Sequence, residues 1–448
     1  MITALQWALG LSWSSNERCI VWPERSKLAR ILFHTLVFPP DANSNAYVLA
    51  DLARELKKYG HEITVLTTTP HYNITEAALK TQPMTPVRGR WLLRSSFEGI
   101  PCYHVRVPVV KGGMGTRIKT GLRFHTLGWL AVRGMDMHFD IVLSQTPPLS
   151  IGLLSAWIAR RCSAKSVFIV QDIQPDSLMH QGKIKNPLFI RFLRALEHRA
   201  YRESDVVCSI SEGLIDTLRT RVPSGTLLRE IPNFVNTDLY RPLPRDNEFS
   251  KSYGLSSHFV VSYVGNLGNA QDFTPVIAAA CQCADLPIKF LLAGGGIKYE
   301  ALRAEAAQNG LTSIGLCGYQ PRETTPWINA SSDLCLVLLA PHVRSFSFPS
   351  KIYTLMACGK PILLYGHSEA DVAQFVRKTG IGWVVPSGDI NGFVAAVRRL
   401  YQNREELEIC GKRAIAAVQE RFTSQAVGQQ YHELIEELTH RGKQEDAA

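Results

Sequence analysis

The run Leu334-Cys-Leu-Val-Leu-Leu339 carries no charged or hydroxyl side chain in six positions. A strand built from it has to be covered on both faces, which is the condition of a parallel sheet flanked by helices. Comparable runs recur along the chain. Ile31–Phe38, Ile63–Leu66, Asp140–Leu143, Ser166–Val170 and Asp205–Ile210 come before a polar stretch, and Phe259–Val264, Ile288–Ala293, Pro361–Tyr365 and Gly382–Val385 come after it. Helical spacing separates them, as in Val48, Leu49, Leu52 and Leu56 ahead of Gly60. Strand and helix in alternation predict an α/β fold with parallel sheets and right-handed crossovers.

At 448 residues the chain exceeds one average domain. Pro242, Pro244 and the polar residues to Ser256 mark a linker. The expected organisation is an extension over residues 1–28, a first domain over 29–240, a linker over 241–256 and a second domain over 257–422. A closing helix over 423–440, with Val427, Tyr431, Leu434, Ile435 and Leu438 on one face, and a tail over 441–448 complete it. Two such sheets with loops at their strand ends place a ligand in the cleft between them.

Three loops of the second half have the composition of a phosphate site. Tyr263-Val-Gly-Asn-Leu-Gly268 leads through Gln271 into a helix over Phe273–Cys283, and Gly294-Gly-Gly296 and Gly318 each follow a strand. Glycine lets backbone approach a phosphate closely. A further element, Phe348-Pro-Ser-Lys-Ile-Tyr-Thr-Leu-Met-Ala-Cys-Gly-Lys-Pro361, reads as loop, short helix and strand. Ser350 is expected to cap that helix, with Lys351 at its first position, so helix dipole and ammonium point the same way. The alternative is an ordinary core helix.

In the first half, Asp41, Asn43, Ser44 and Asn45 lie in the loop after the first strand, either as an acceptor contact or as a solvated turn. Asp172 follows the strand Ser166–Val170, a position suited to polar catalysis or to capping the next segment.

The net charge of +10 favours anionic partners: nucleotide-sugars, phospholipid surfaces or nucleic acid. Nucleic acid ranks last, because no zinc-finger spacing, RNA-recognition signature or long basic block is present. Residues 109–135 hold Lys111, Arg117, Lys119, Arg123 and Arg133 interleaved with Leu122, Phe124, Leu127, Trp129 and Leu130. Such a stretch fits a helix on an anionic membrane, or a core helix with a solvated basic face. The ten cysteines show no zinc spacing and read as reduced thiols. No apolar run is long enough to span a bilayer.

In their joint order, several motifs resemble those of the GT-B fold and its retaining glycosyltransferase family four. They are Phe38-Pro-Pro-Asp41, Gly60-His-Glu-Ile-Thr-Val65, Ile210-Ser-Glu-Gly213, Ile231-Pro-Asn-Phe-Val235, Tyr263-Val-Gly-Asn-Leu-Gly268 and Pro349-Ser-Lys-Ile-Tyr353 with Met356-Ala-Cys-Gly-Lys-Pro361. Gln171-Asp-Ile-Gln-Pro-Asp176 and Pro349-Ser-Lys351 resemble the subgroup of colanic-acid and fucosamine-type transferases, which build exopolysaccharide or O-antigen.

The resemblance implies two Rossmann-like domains and a nucleoside diphosphate-sugar donor, uridine-linked, held mainly by the second domain. It also implies a lipid-diphosphate-linked or oligosaccharide acceptor at the first, no cofactor and no divalent metal, retention of configuration, and a cytoplasmic site at the inner membrane face. The donor set would be Gly265, Asn266, Gly268, Gln271, Gly294, Gly295, Gly318, Ser350, Lys351 and Thr354; the catalytic set Asp172, Lys351 and Asp41; the acceptor set Asn43, Ser44 and Asn45. The family's two glutamates are replaced by Phe346 and Thr354, its first-loop glycine pair by the region of Asn43-Ser44, and its histidine after the third strand by Leu143, Ser144 and Gln145. Two other readings share the fold: a sugar-nucleotide epimerase, which would need carboxylates around the sugar, and a non-catalytic scaffold.

Overall fold

The structure, a computed structural model, describes residues 28–71, 76–108, 114–134, 138–180, 182–343 and 348–445. The extension over 1–27, Lys111, and Phe346 at one of the substituted glutamate positions lie outside the described residues.

The first half runs β1 (Arg30–His34), α1 (Ser44–Lys58), β2 (Glu62–Thr68), α2 (Glu76–Thr81), β3 (Thr85–Arg88), β4 (Leu92–Phe97), β5 (Ile100–Val105), α3 (Met114–Gly134) and β6 (Ile141–Gln145). It continues α4 (Ser150–Arg161), β7 (Lys165–Val170), α5 (Asp176–His180), α6 (Pro187–Glu203), β8 (Val206–Ser209), α7 (Glu212–Arg219) and β9 (Leu227–Glu230). These strands form a nine-stranded sheet in the order β3-β4-β5-β2-β1-β6-β7-β8-β9. The apolar runs predict its parallel part, because Ile31, Phe33, Val65, Ile141 and Val167 are covered from both sides. The antiparallel edge β3-β4-β5 lies outside those runs: Leu92-Leu-Arg-Ser-Ser-Phe97 alternates buried and exposed positions, with one face in solvent.

The second half opens with α8 (Glu248–Ser252) and continues β10 (Phe259–Val264), α9 (Thr274–Gln282), β11 (Ile288–Ala293), α10 (Tyr299–Gln308), β12 (Ile314–Leu316), α11 (Thr325–Ala330) and β13 (Leu334–Leu338). Then come α12 (Lys351–Ala357), β14 (Ile362–Gly366), α13 (Asp371–Thr379), β15 (Gly382–Pro386), α14 (Ile390–Gln402), α15 (Arg404–Arg421) and α16 (Ser424–Glu445). Its six strands are all parallel, in the order β12-β11-β10-β13-β14-β15. Residues 241–256, the expected linker, carry packing of their own. Asn247 caps α8 with a capping box, Phe249 packs against the cluster of Leu255, Val260, Leu291, Ala293 and Ile328, and Arg245 pairs with Asp333 at 2.9 Å.

The halves are joined on two sides. Val235 exchanges backbone hydrogen bonds with Phe422 and Ser424, and α16 then returns across α1 of the first half. Tyr59 of the first half stacks on His432 of α16 at 4.4 Å, and His61 Nε2 lies 2.9 Å from His432 Nδ1. On the other side, Ser211 Oγ donates to Asp371 Oδ2 at 3.1 Å, and Arg322 pairs with Asp51 of α1 while lying over the Tyr47 ring at 4.6 Å.

Candidate active site at the strand ends of the two sheets

The loops after β10, β11 and β12 are tied to one another by backbone. Gly265 N–H donates to Ala293 O, Leu267 N–H to Gly295 O, and Gly294 N–H to Gly318 O, at 2.7–2.9 Å. This approach requires glycine at two points. Gly265 has φ +144° and Gly294 φ +145°, and a Cβ on Gly294 would sit 1.8 Å from the Gly265 carbonyl oxygen. Gly265, Asn266, Gly294, Gly295 and Gly318 are therefore together, as expected. Gly268 and Gln271 brace the loop instead: the Gly268 N–H donates to Gln271 Oε1 at 3.1 Å. The N–H groups of Leu267 and Gly268 both have partners within the loops.

Lys351 reaches this corner from α12. Its Nζ lies 3.4 Å from the centroid of the Tyr263 ring and 3.0 Å from the point a Cβ on Gly265 would occupy. Desolvation lowers its pKa to about 7, with the Cys335 thiol on the neighbouring strand acting weakly the other way. Ser350 does not cap the helix. It adopts helical dihedrals (φ −59°, ψ −22°) and makes no side-chain cap bond, because the chain enters through a tight turn in which Ile352 N–H bonds Pro349 O and Tyr353 N–H bonds Ser350 O. Thr354 turns its hydroxyl onto the Lys351 carbonyl at 2.8 Å.

Across the molecule, the strand ends of the first sheet gather a second polar group. Asp172 follows β7, and burial raises its carboxyl pKa against weaker opposing hydrogen bonds from Gln174, Thr146 and Ser177. Beside it Gln171 and Asn233 exchange amide hydrogen bonds at 2.6 and 3.0 Å, and Gln171 also reaches Gln145 at 3.4 Å. Asp41 is 1% exposed, and its carboxylate accepts the His71 backbone N–H at 2.7 Å, so it fixes the loops after β1 and β2 to each other rather than facing a substrate hydroxyl. Asn43 is the N-cap of α1, accepting from Ala46 N–H at 2.9 Å; Ser44 is exposed and Asn45 half-buried in the same first turn.

Two residues of the corner around Gly265 do not stand out in the sequence. Tyr263 is the last fully inward position of β10, and its hydroxyl donates to Asn266 O at 2.8 Å, so it supports the loop and the lysine together. Lys298 follows the glycine run and donates through Nζ to Gln271 O at 2.6 Å. An aromatic residue closing a strand just ahead of the Gly-x-x-Gly loop, and a lysine two positions past the second glycine run, are the sequence marks by which both can be found.

On α3, Phe124 is fully buried and stacks on His34 at 5.0 Å, and Leu127 and Trp129 pack on the core. Leu122 and Leu130 are exposed. No helix among the described residues is long and apolar enough to cross a membrane.

Two family models match the chain: a glycosyl transferase 4-like domain over residues 45–233 and the glycosyl transferases group 1 domain over 258–403. The probable glycosyltransferase WbjE of Pseudomonas aeruginosa is 26% identical over 60% of this chain and 67% of its own length. The putative colanic acid biosynthesis glycosyl transferase WcaI of Escherichia coli (strain K12) is 21% identical over 83% of this chain and 91% of its own. Among solved structures, sucrose-phosphate synthase from Thermosynechococcus elongatus superposes with a TM-score of 0.71 at 16% identity, covering 92% of this chain and all of that one. Anabaena HepE in complex with UDP superposes with a TM-score of 0.68 at 15% identity, covering 91% and 99%. The likenesses to solved structures establish the two-sheet GT-B fold.

Proposed function

The chain belongs to the glycosyl transferases of the 4-like and group 1 kind, and from that premise we propose that it is a retaining, metal-independent hexosyl- or N-acetylhexosaminyltransferase. Its donor is a uridine diphosphate sugar. Its acceptor is a polyprenyl-diphosphate-linked or oligosaccharide chain of a bacterial surface polysaccharide, met at the inner face of the plasma membrane. One observation carries the reading: the Lys351 ammonium lies beside Gly265, where three glycine loops converge at the strand ends of the second sheet.

In the reaction, the bond between the sugar's anomeric carbon and the diphosphate oxygen breaks, and its electron pair leaves on the diphosphate. The acceptor oxygen forms the new bond to the anomeric carbon and gives up its proton. Charge grows on the leaving oxygen, and a cation already positioned there lowers the barrier without reorganising solvent. Lys351 supplies that charge, with Lys298 and the Gly265 loop beside it. Asp172 is the candidate to take the acceptor's proton, since a carboxyl whose pKa is raised by burial is a stronger base than an ordinary one. Asp41 drops out of this set as a positioning residue for His71.

The relatives WbjE and WcaI and the UDP complex of HepE support this reading. The test is to incubate the protein and membranes with a panel of labelled nucleotide-sugars. Lipid-extractable or oligosaccharide label supports transfer. Interconversion of the donor without an acceptor would make the protein an epimerase, and no turnover would leave the scaffold.

A further inference from the structure

The aromatic and leucine positions that make α3 look like a membrane helix, Phe124, Leu127 and Trp129, face the core. Leu122 and Leu130 of α3 are exposed, but the exposed aromatic pair is on α6. Leu188 is 77% exposed and Phe192 59%, and Phe189 and Phe192 stack on each other in the open with ring centroids 6.3 Å apart. A stacked aromatic pair beside an exposed leucine is an unusual feature for a surface that meets only water.

We propose that the first turns of α6 are a docking wedge for an anionic lipid bilayer, with Leu188, Phe189 and Phe192 entering the headgroup boundary and Lys185 and Arg191 meeting the lipid phosphates. It deepens the peripheral membrane contact of the reading above and rests on it. Charge complementarity selects this occupant. Between Gly182 and Leu196 the sequence holds Lys183, Lys185, Arg191 and Arg194 and no acidic residue. Lys183, Lys185 and Arg191 are exposed, while Arg194 pairs with Asp176 at 2.8 Å. The first turns of α6 thus set exposed cations around an apolar centre, the pattern of an interfacial membrane helix.

The position also serves the site. Helix α6 follows α5, which follows the carboxyl end of β7, so its first turns lie on the side of the sheet that carries Asp172. Lys183, five residues ahead of Leu188, is close enough to Asp172 to draw its carboxyl pKa down. A bilayer at α6 would deliver a lipid-linked acceptor beside the candidate base.

The test is co-sedimentation of the full chain with vesicles of phosphatidylcholine, alone or mixed with phosphatidylglycerol. The wild type is expected to bind the mixed vesicles. Leu188→Ser with Phe192→Ser is expected to weaken binding by about tenfold or more, and Lys185→Glu with Arg191→Glu to weaken it in a salt-sensitive way. Far-UV circular dichroism and the melting midpoint check that the variants fold. Unchanged binding of the serine pair overturns the proposal. So does loss of binding in Lys119→Glu with Arg123→Glu while the α6 variants bind normally, which places the contact on α3. Self-association by ultracentrifugation that the serine pair abolishes would make the occupant a second copy and overturn it as well. The thermal shift produced by UDP on the same samples keeps the two readings apart: vesicle binding without a UDP shift speaks against the transferase and leaves the wedge standing.

Discussion

The Lys351 ammonium stands 3.4 Å from the centroid of the Tyr263 ring, joining the first turn of α12 to the last inward residue of β10. A ring face attracts a cation but does not replace its hydration shell. The ring thus holds the lysine in place, while burial lowers its pKa.

Lys351→Ala is expected to lower kcat/KM for the nucleotide-sugar by about a hundredfold or more, in line with loss of one well-placed charge at the leaving group. Steady-state kinetics with saturating acceptor checks it. A loss of less than about tenfold would mean that the diphosphate is held elsewhere.

The same group sets a pH dependence. Its pKa is about 7 in the fold against an ordinary 10.5, and a bound diphosphate raises it again. Donor binding then takes up a proton above pH 7, and the donor KM should rise by up to about tenfold per pH unit there. Because the folded pKa is the lower one, the folded state binds fewer protons than the unfolded between about 7 and 10.5. The cost of burying the charge is full below pH 7 and is relieved as pH rises through that window. Lys351→Met should accordingly raise the melting midpoint most at pH 6–7 and progressively less toward pH 10, as a pH series of melting curves would reveal.

Neighbouring glycines should behave oppositely. Gly294→Ala places a methyl 1.8 Å from the Gly265 carbonyl at a backbone φ that disfavours alanine, so the loops have to part. It should lose the UDP-induced thermal shift and lower the melting midpoint. Gly295→Ala meets nothing nearer than Tyr319 Cβ at 3.8 Å and should bind and melt like the parent.

Asp172→Asn should cut kcat by about a hundredfold while leaving the UDP thermal shift unchanged, the division expected of a base on the acceptor side. In the parent, kcat should fall as pH drops through the raised carboxyl pKa, and the asparagine variant should lose that limb. Equal losses in UDP shift and kcat would instead make Asp172 a structural residue.

Arg322→Met tests the contact between halves. Asp51 is 4% exposed in its side chain and keeps Arg54 as a partner, so the cost should stay below the ~3–5 kcal/mol of a fully broken buried pair. Small-angle scattering should show a larger radius of gyration. No change would mean that the Ser211–Asp371 bond and the Val235 strand pairing hold the halves without it.

The sequence made the parallel strands legible because doubly covered strands require unbroken apolar runs, and Phe259–Val264 and Ile288–Ala293 appear with the bounds those runs suggest. Glycine loops were legible for a similar reason, since close backbone approach leaves few alternatives to glycine. Caps and pairings were less so. Ser350 has the composition of an N-cap, but the chain reaches α12 through a turn with i to i+3 bonds, and composition cannot tell a capped helix start from a turn-led one. Asn43 and Asp41 look alike in a polar loop, yet one caps α1 and the other is buried on His71, a difference set by contacts 30 residues away. On α3, spacing identified the apolar residues, but only packing on His34 decides which way Phe124 points.

The return of α16 across α1 has a consequence for biosynthesis. A nascent chain emerges from its amino end, so the first sheet leaves the ribosome with the α1 surface that α16 will cover still bare. Only when the residues beyond Thr423 emerge can Val427, Tyr431 and Leu434 settle into place. The half made first is thus the half finished last, and a ribosome stalled before that helix would release a polypeptide whose leading domain is the one exposed to proteolysis and aggregation.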